Sequence, residues 1–163
     1  MATSANLTST LEVRYKSTQT VASDLSDGAP DVINQTLSKS TTYGTTSNKA
    51  DKVFHDQATA SAAAVTYDLA DGTLTDIKGA SVVMAKVRKL VIHNTSTTTT
   101  EKLTIGGGSD PIAGISGEIG PDGWIVWENP VDGYTVGANA DVITVDPGAD
   151  TITFDIWIVG TSA

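Results

Sequence analysis

From Lys86 onward the chain repeats one pattern: a few alternating or wholly apolar residues, then a break built from Gly, Asp, Asn or Pro. The runs are Val87 to His93, Lys102 to Ile105, Trp124 to Trp127, Tyr134 to Val136, Val142 to Val145 and Thr151 to Val159, with Ser81 to Met84 ahead of them. Between them stand Gly106-Gly-Gly108, Gly120-Pro-Asp-Gly123, Asn129-Pro130, Asp132-Gly133 and Asp146-Pro-Gly148. Asp caps its own backbone and Gly accepts positive φ, so these breaks read as turns. Short strands at such spacing predict an all-β fold, a jelly-roll-like sandwich of two sheets.

The last run sets its own register. Ile152, Phe154, Ile156 and Ile158 share one face and predict core, while Thr151, Thr153, Asp155, Trp157 and Val159 share the other. A tryptophan carries about 150 to 250 Å² of surface, so Trp157 calls for a cover, either a loop or another subunit. Trp124 and Trp127 stand three apart in a strand and therefore face opposite sides of the sheet. One belongs to the core. The other, with Tyr134 or Trp157, can form an aromatic platform for sugar or a seam for another subunit.

Residues 1–60 are poorer in hydrophobic residues and rich in Ser and Thr, and predict an extended N-terminal arm preceding a body of residues 61–163. Leu11, Val13 and Tyr15 alternate with charged residues and fit one face of a strand. Val32 to Leu37 fits a short helix or an edge strand, with strand or extended arm preferred. Ser38 to Asn48 reads as a polar loop. Asn48 to Gln57 then gathers charge around Phe54, and Val53 and Phe54 complete the apolar anchors of the arm. Val65 to Leu69 resumes the strand pattern, closed by Asp71-Gly72.

Composition narrows the chemistry. A formal charge of -9 opposes direct nucleic-acid binding, which draws its affinity from Lys and Arg displacing counterions. Without cysteine there is no thiolate zinc site, iron–sulfur cluster, cysteine nucleophile or disulfide. Neither a signal sequence nor a run approaching the ~18 apolar residues of a membrane helix is present, which predicts a soluble product with no membrane partner. The two histidines, His55 and His93, have no strained nucleophile elbow near them, so no catalytic residue is assigned and no enzyme is expected. The aspartates sit in turn sequences rather than in an Asp-x-Asp-x-Asp calcium pattern, and no metal or cofactor is expected. Gly106-Gly-Gly-Ser109 lacks the Lys-Ser/Thr of a phosphate loop and is a connector. Lys86, Arg88 and Lys89 form the densest basic cluster, and alternation puts Lys86 and Arg88 on one face, either simply solvated or turned to an acidic partner.

Six segments carry a family likeness. Leu7-Thr-Ser-Thr-Leu-Glu-Val13, Asn48-Lys-Ala-Asp-Lys-Val-Phe-His-Asp-Gln57, Leu74-Thr-Asp-Ile-Lys-Gly79, Ala85-Lys-Val-Arg-Lys-Leu-Val-Ile-His-Asn94, Asp132-Gly-Tyr-Thr-Val136 and Phe154-Asp-Ile-Trp-Ile-Val-Gly-Thr-Ser-Ala163 resemble, in that order, small structural proteins of tailed bacteriophages. The resemblance implies a virion component, a head decoration or cement protein with a jelly-roll body, made in the host bacterial cytoplasm and placed on the capsid surface. Its implied partners are the major capsid protein and further copies of itself, as a dimer or trimer. Leu11, Val13, Tyr15, Val53, Phe54, Lys86, Arg88, Trp124, Trp127 and Trp157 are the candidate interface residues. The chain departs from the family pattern at Gly120 to Trp127, where relatives more often carry a Pro-Gly-Gly turn and aliphatics, so its two tryptophans there point to contacts of its own. The rival readings are a tail, neck or fibre-adaptor component and a carbohydrate-binding module.

Overall fold

The computed structural model describes residues 8–19, 31–76 and 78–162, with the backbone alone for 8–19 and 31–40. Among the described residues there are twelve strands and no helix. The chain forms two compact units. One, Thr8–Thr41, holds β1 (Thr8–Gln19) and most of β2 (Asp31–Tyr43), which are neighbours in one sheet. The strand expected over Leu11, Val13 and Tyr15 is thus present, as is the extended reading of Val32 to Leu37. The side chains of Leu11, Val13 and Tyr15 lie outside the described residues. The loop expected at Ser38 is a continuation of β2, and the turn comes only after Tyr43.

The second unit begins at Thr42, not near residue 61. The last two residues of β2 pair in parallel with β3 (Lys49–Ala50), and β4 (Lys52–Ser61) lies along the final strand, β12 (Thr151–Thr161), for ten residue pairs from Thr151↔Ser61 to Gly160↔Lys52. The expected arm boundary fails because small residues hide the inward face of β4. Phe54, Ala58 and Ala60 all belong to the core or pack against it, and Phe54 is only 6% exposed. Phe54 is therefore a core residue and no surface anchor.

The remaining strands are β5 (Val65–Asp68), β6 (Lys86–Asn94), β7 (Leu103–Ile105), β8 (Gly117–Ile119), β9 (Trp124–Glu128), β10 (Tyr134–Thr135) and β11 (Val142–Asp146). One sheet runs β10-β6-β12-β4 with β9 also pairing β6; the other runs β5-β11-β7-β8. Within these two sheets every pairing is antiparallel and the pairs are nested: β4 with β12, β5 with β11, β6 with β9, β7 with β8. The two antiparallel sheets make an all-β fold of the β-sandwich kind. β10 is an addition beside the start of β6.

Both sheets contribute to one core. Ile152, Phe154, Ile156 and Ile158 of β12 are buried as their alternation predicts, facing Tyr67, Leu103, Ile105, Ile119, Ile143 and Val145 of the other sheet. Each such side chain contributes roughly 1.5–3 kcal/mol on burial. Ser81 to Met84 is not a strand. Val82 and Met84 are buried by two backbone hydrogen bonds, from Val82 to Leu74 and from Met84 to Leu69, that pin a connection across the core's end. The core-facing side of β4 also carries one carboxylate, Asp56, which accepts a 3.0 Å hydrogen bond from the hydroxyl of Tyr67 on the opposite sheet.

Candidate functional site

The outer face of the β9-β6-β12-β4 sheet is laid out by register alone. Three cross-strand rows run over it: Trp124, His93, Asp155 and Gln57; then Val126, Val91, Trp157 and His55; then Glu128, Lys89, Val159 and Val53. Side chains directly opposite in an antiparallel pair stand about 4.5–5.5 Å apart at Cβ, close enough for rings to stack. They do. His93 and Trp124 lie face to face with centroids 3.9 Å apart and planes 11° off parallel. Trp157 stacks on His55 at 4.8 Å, and reaches diagonally across β6 to Trp124 at 6.0 Å, again within 11° of parallel. The four rings stack face against face in a row across the strands, and Trp124 remains 59% exposed. A ring covered on both faces shows only its rim, so that exposure leaves a broad indole face open.

Polar groups are threaded through this stack. His93 Nε2 lies 3.3 Å from Asp122 Oδ1, and its Nδ1 lies 3.9 Å from Asp155 Oδ2. Gln57 Nε2 donates to Asp155 Oδ1 at 3.0 Å. Asp122 sits in the Gly120 to Gly123 turn with φ 53°, and the turn is tied to the strands by hydrogen bonds from Asp122 N to Ser96 O and from Asn94 N to Gly123 O. Farther along β4 and β12 the face becomes purely polar, with hydroxyl pairs Thr59 to Thr153 at 2.9 Å and Ser61 to Thr151 at 2.7 Å.

The expectations for the tryptophans divide as the spacing said. Trp127 turns inward and packs against the core, while Trp124 turns outward. Trp157 is covered in part by neighbours on its own sheet, His55 and Trp124, rather than by a loop. Val53 is half-buried at the end of the third row.

The basic cluster is a correction. Between Val159 and Gly160 the pairing of β12 with β6 shifts register, from Val159↔Lys89 to Gly160↔Val87, leaving Arg88 as the extra residue of a bulge. Simple alternation fails there. Arg88 is 3% exposed and donates from Nη1 to the carbonyl of Val131 at 2.6 Å. Lys86 Nζ donates to Asp132 O at 2.9 Å, and the buried Lys89 ammonium is 3.5 Å from Glu128 Oε1. These cations hold the 129–133 turn and the edge of β9 against β6, and Arg88 does not face outward to an acidic partner.

That His55 and His93 share one ring stack is not legible in the sequence, because they meet the tryptophans only through pairings across distant strands. His93's hydrogen-bonding neighbour is a carboxylate, Asp122, rather than a hydroxyl. Among the described residues no group of three His, Asp or Glu side chains is arranged to hold a metal ion, and no helix is long and apolar enough to cross a membrane. What the face can do is offer the exposed indole of Trp124, with the exposed carboxylate of Asp122 beside its stacking partner His93. Compared with known proteins, the chain matches no family model, no curated protein and no solved structure.

Proposed function

We propose that this chain is a structural protein of a bacteriophage virion, a head decoration or cement protein that binds the major capsid protein and adds stability to the shell. The observation that carries the reading is the division of the chain into a sandwich from Thr42 onward and a separate unit of two long strands, Thr8–Thr41. The sandwich has its own core, drawn from residues Phe54 to Ile158. The strand unit ends its sheet order in β1, a twelve-residue edge. Such an edge presents unpaired N–H and C=O groups and is a template for adding a strand from another chain. A body that folds alone and a strand unit that docks is the division of labour a decoration protein needs, and many weak attachments on a repeating shell then sum by avidity. The resemblance to phage structural proteins supports the same reading, as does the net charge of -9, which keeps free copies soluble before assembly. The chain has no enzymatic role in this account.

The test is copy number in purified virions, measured by quantitative mass spectrometry against the major capsid protein. A count comparable with that of the capsid protein is expected. A handful of copies moves the protein to the tail or neck, and its absence from the particle refutes the reading.

A further inference from the structure

We propose that the open edge of β9 docks a second copy of this chain, the two β9 strands pairing antiparallel about a twofold axis at Val126. The inference stands apart from virion placement and rests on backbone register.

Among the described residues β9 has one strand partner, β6, and forms an edge of its sheet. The direction of its backbone groups is fixed at both ends. Asn94 N donates to Gly123 O and Asn129 N donates to Arg88 O, so in this register the odd-numbered residues of β9 bond to β6. Trp124, Val126 and Glu128 therefore turn their N–H and C=O groups to the open edge, where they have no partner among the described residues. Such a row is a template for another strand. The opposite edge of the sheet, β4, is blunted by the charges of Lys52 and Asp56 and by an outer face of Gln57, Thr59 and Ser61. β9 has no such protection: Trp124-Ile-Val-Trp127 holds no charge, Pro or Gly, and Trp124 and Val126 are 59% and 39% exposed.

The sequence of β9 complements itself in one register. Setting Val126 opposite Val126 of the second copy places Trp124 opposite Glu128 and Ile125 opposite Trp127, and the reverse, as a twofold axis requires. Every open N–H and C=O group of β9 is then used, and the indole N–H of Trp124 faces an acceptor. Sliding by two residues one way sets Glu128 opposite Asp122, two like charges. Sliding the other way sets Trp124 opposite Pro130, which has no N–H. In the matched register the central row of the outer face runs on across the axis, from Trp157, Val91 and Val126 of one copy into the same residues of the other. The second copy's Val126 is the diagonal neighbour that covers Trp124. On the inner face Ile125 and Trp127, only partly buried in the single chain, shield each other.

The chain has no cysteine, so a single introduced one reports the contact directly. Val126→Cys is oxidised as the full chain beside Gln57→Cys on the β4 edge; residues opposed in a hydrogen-bonded pair stand about 5.5 Å apart at Cα, within disulfide range. A cross-linked dimer is expected from Val126→Cys and none from Gln57→Cys. Sedimentation equilibrium then compares the native chain, Val126→Lys, Val126→Glu and an equal mixture of these two variants. The native chain is expected to dimerise, each variant to dimerise at least about tenfold more weakly because like charges meet on the axis, and the mixture to regain the pairing. Thermal midpoints are recorded, and should a charge variant fail to fold, the cross-linking comparison decides. A native chain that stays monomeric at high micromolar concentration, which would leave the edge to a strand of another protein, overturns the proposal. So does a dimer indifferent to both charges, or cross-linking through Gln57→Cys alone.

Discussion

Gly160 and Lys86 approach so closely that a β-carbon on Gly160 would lie 2.3 Å from the carbonyl oxygen of Lys86, and 2.6 Å from the sulfur of Met84. The contact falls at the register shift between β12 and β6, where the bulge at Arg88 draws the β6 backbone in. Gly160→Ala must push apart two backbones in the centre of a sheet, which places it at the upper end of overpacking costs, about 3 kcal/mol. Urea denaturation checks this: the midpoint falls while the slope is unchanged, as for a pure loss of stability.

The Gly160 contact also shows where the sequence stops being readable. The inward face of β12 was legible because Ile152, Phe154, Ile156 and Ile158 alternate without interruption, and a period of two is a local property. β4 was not, because its inward positions include Ala58, Ala60 and the carboxylate of Asp56, and its partner lies about a hundred residues away. β8 was missed for a similar reason, since Gly117-Glu-Ile offers a single large apolar residue. Arg88 was misassigned because a bulge shifts every side chain beyond it, and nothing in Lys-Val-Arg-Lys marks one. For the ring stack, the spacing of Trp124 and Trp127 showed that they face opposite sides of the sheet, but not which of the two turns outward. The meeting of Trp124 with His93 and Trp157 follows only from the pairing of β9, β6 and β12.

Asn94 is fully buried at the end of β6 and spends its whole amide. Nδ2 donates to the carbonyls of Glu101 at 3.0 Å and Ile119 at 3.3 Å, and Oδ1 accepts from the backbone of Ser96 at 3.0 Å. It thereby fixes the loop after β6 against the end of β8. Asn94→Ala strands these backbone groups in a buried place and is expected to cost about 1–3 kcal/mol. Asn94→Asp costs more than Asn94→Ala, because an ionised carboxylate then faces two carbonyl oxygens. Chemical denaturation of both variants reads the order directly.

Tyr67 predicts how the protein fails in alkali. Burial pushes its hydroxyl well above the ordinary tyrosine value, with the Asp56 charge and the hydrogen bond to Asp56 acting in the same direction. The fold thus favours the protonated phenol. Its contribution is fully present below the unfolded value of about 10 and is lost as pH climbs above it. At pH 8, Tyr67→Phe is expected to be less stable by about 1.5–3 kcal/mol, the range for a hydrogen bond to a charged group. Between pH 10 and 11 the difference between the two proteins shrinks, because only the native protein must keep a phenol from ionising. Stability measured for both at several pH values tests this, and a difference that grows with pH contradicts it.

Removal of residues 1–41 separates the two units along the boundary the fold defines rather than the one the composition suggested. A cut at residue 60 would destroy the sandwich, since β4 supplies a whole strand partner to β12 and Phe54 to the core. A cut after Thr41 leaves Lys49–Ala50, Asp51 and β4 in place, and keeps Asp51 Oδ1 accepting from the backbone of Ser162 at 2.8 Å. The shortened chain is therefore expected to unfold cooperatively with a thermal midpoint close to that of the whole protein. Two strands on their own are marginal in water, so β1 and β2 have most to gain from docking on a partner. In the decoration-protein reading, the shortened chain loses cosedimentation with phage heads, whereas a chain shortened to begin at residue 8 retains it. A folded body that still sediments with heads would shift the attachment to the sandwich itself.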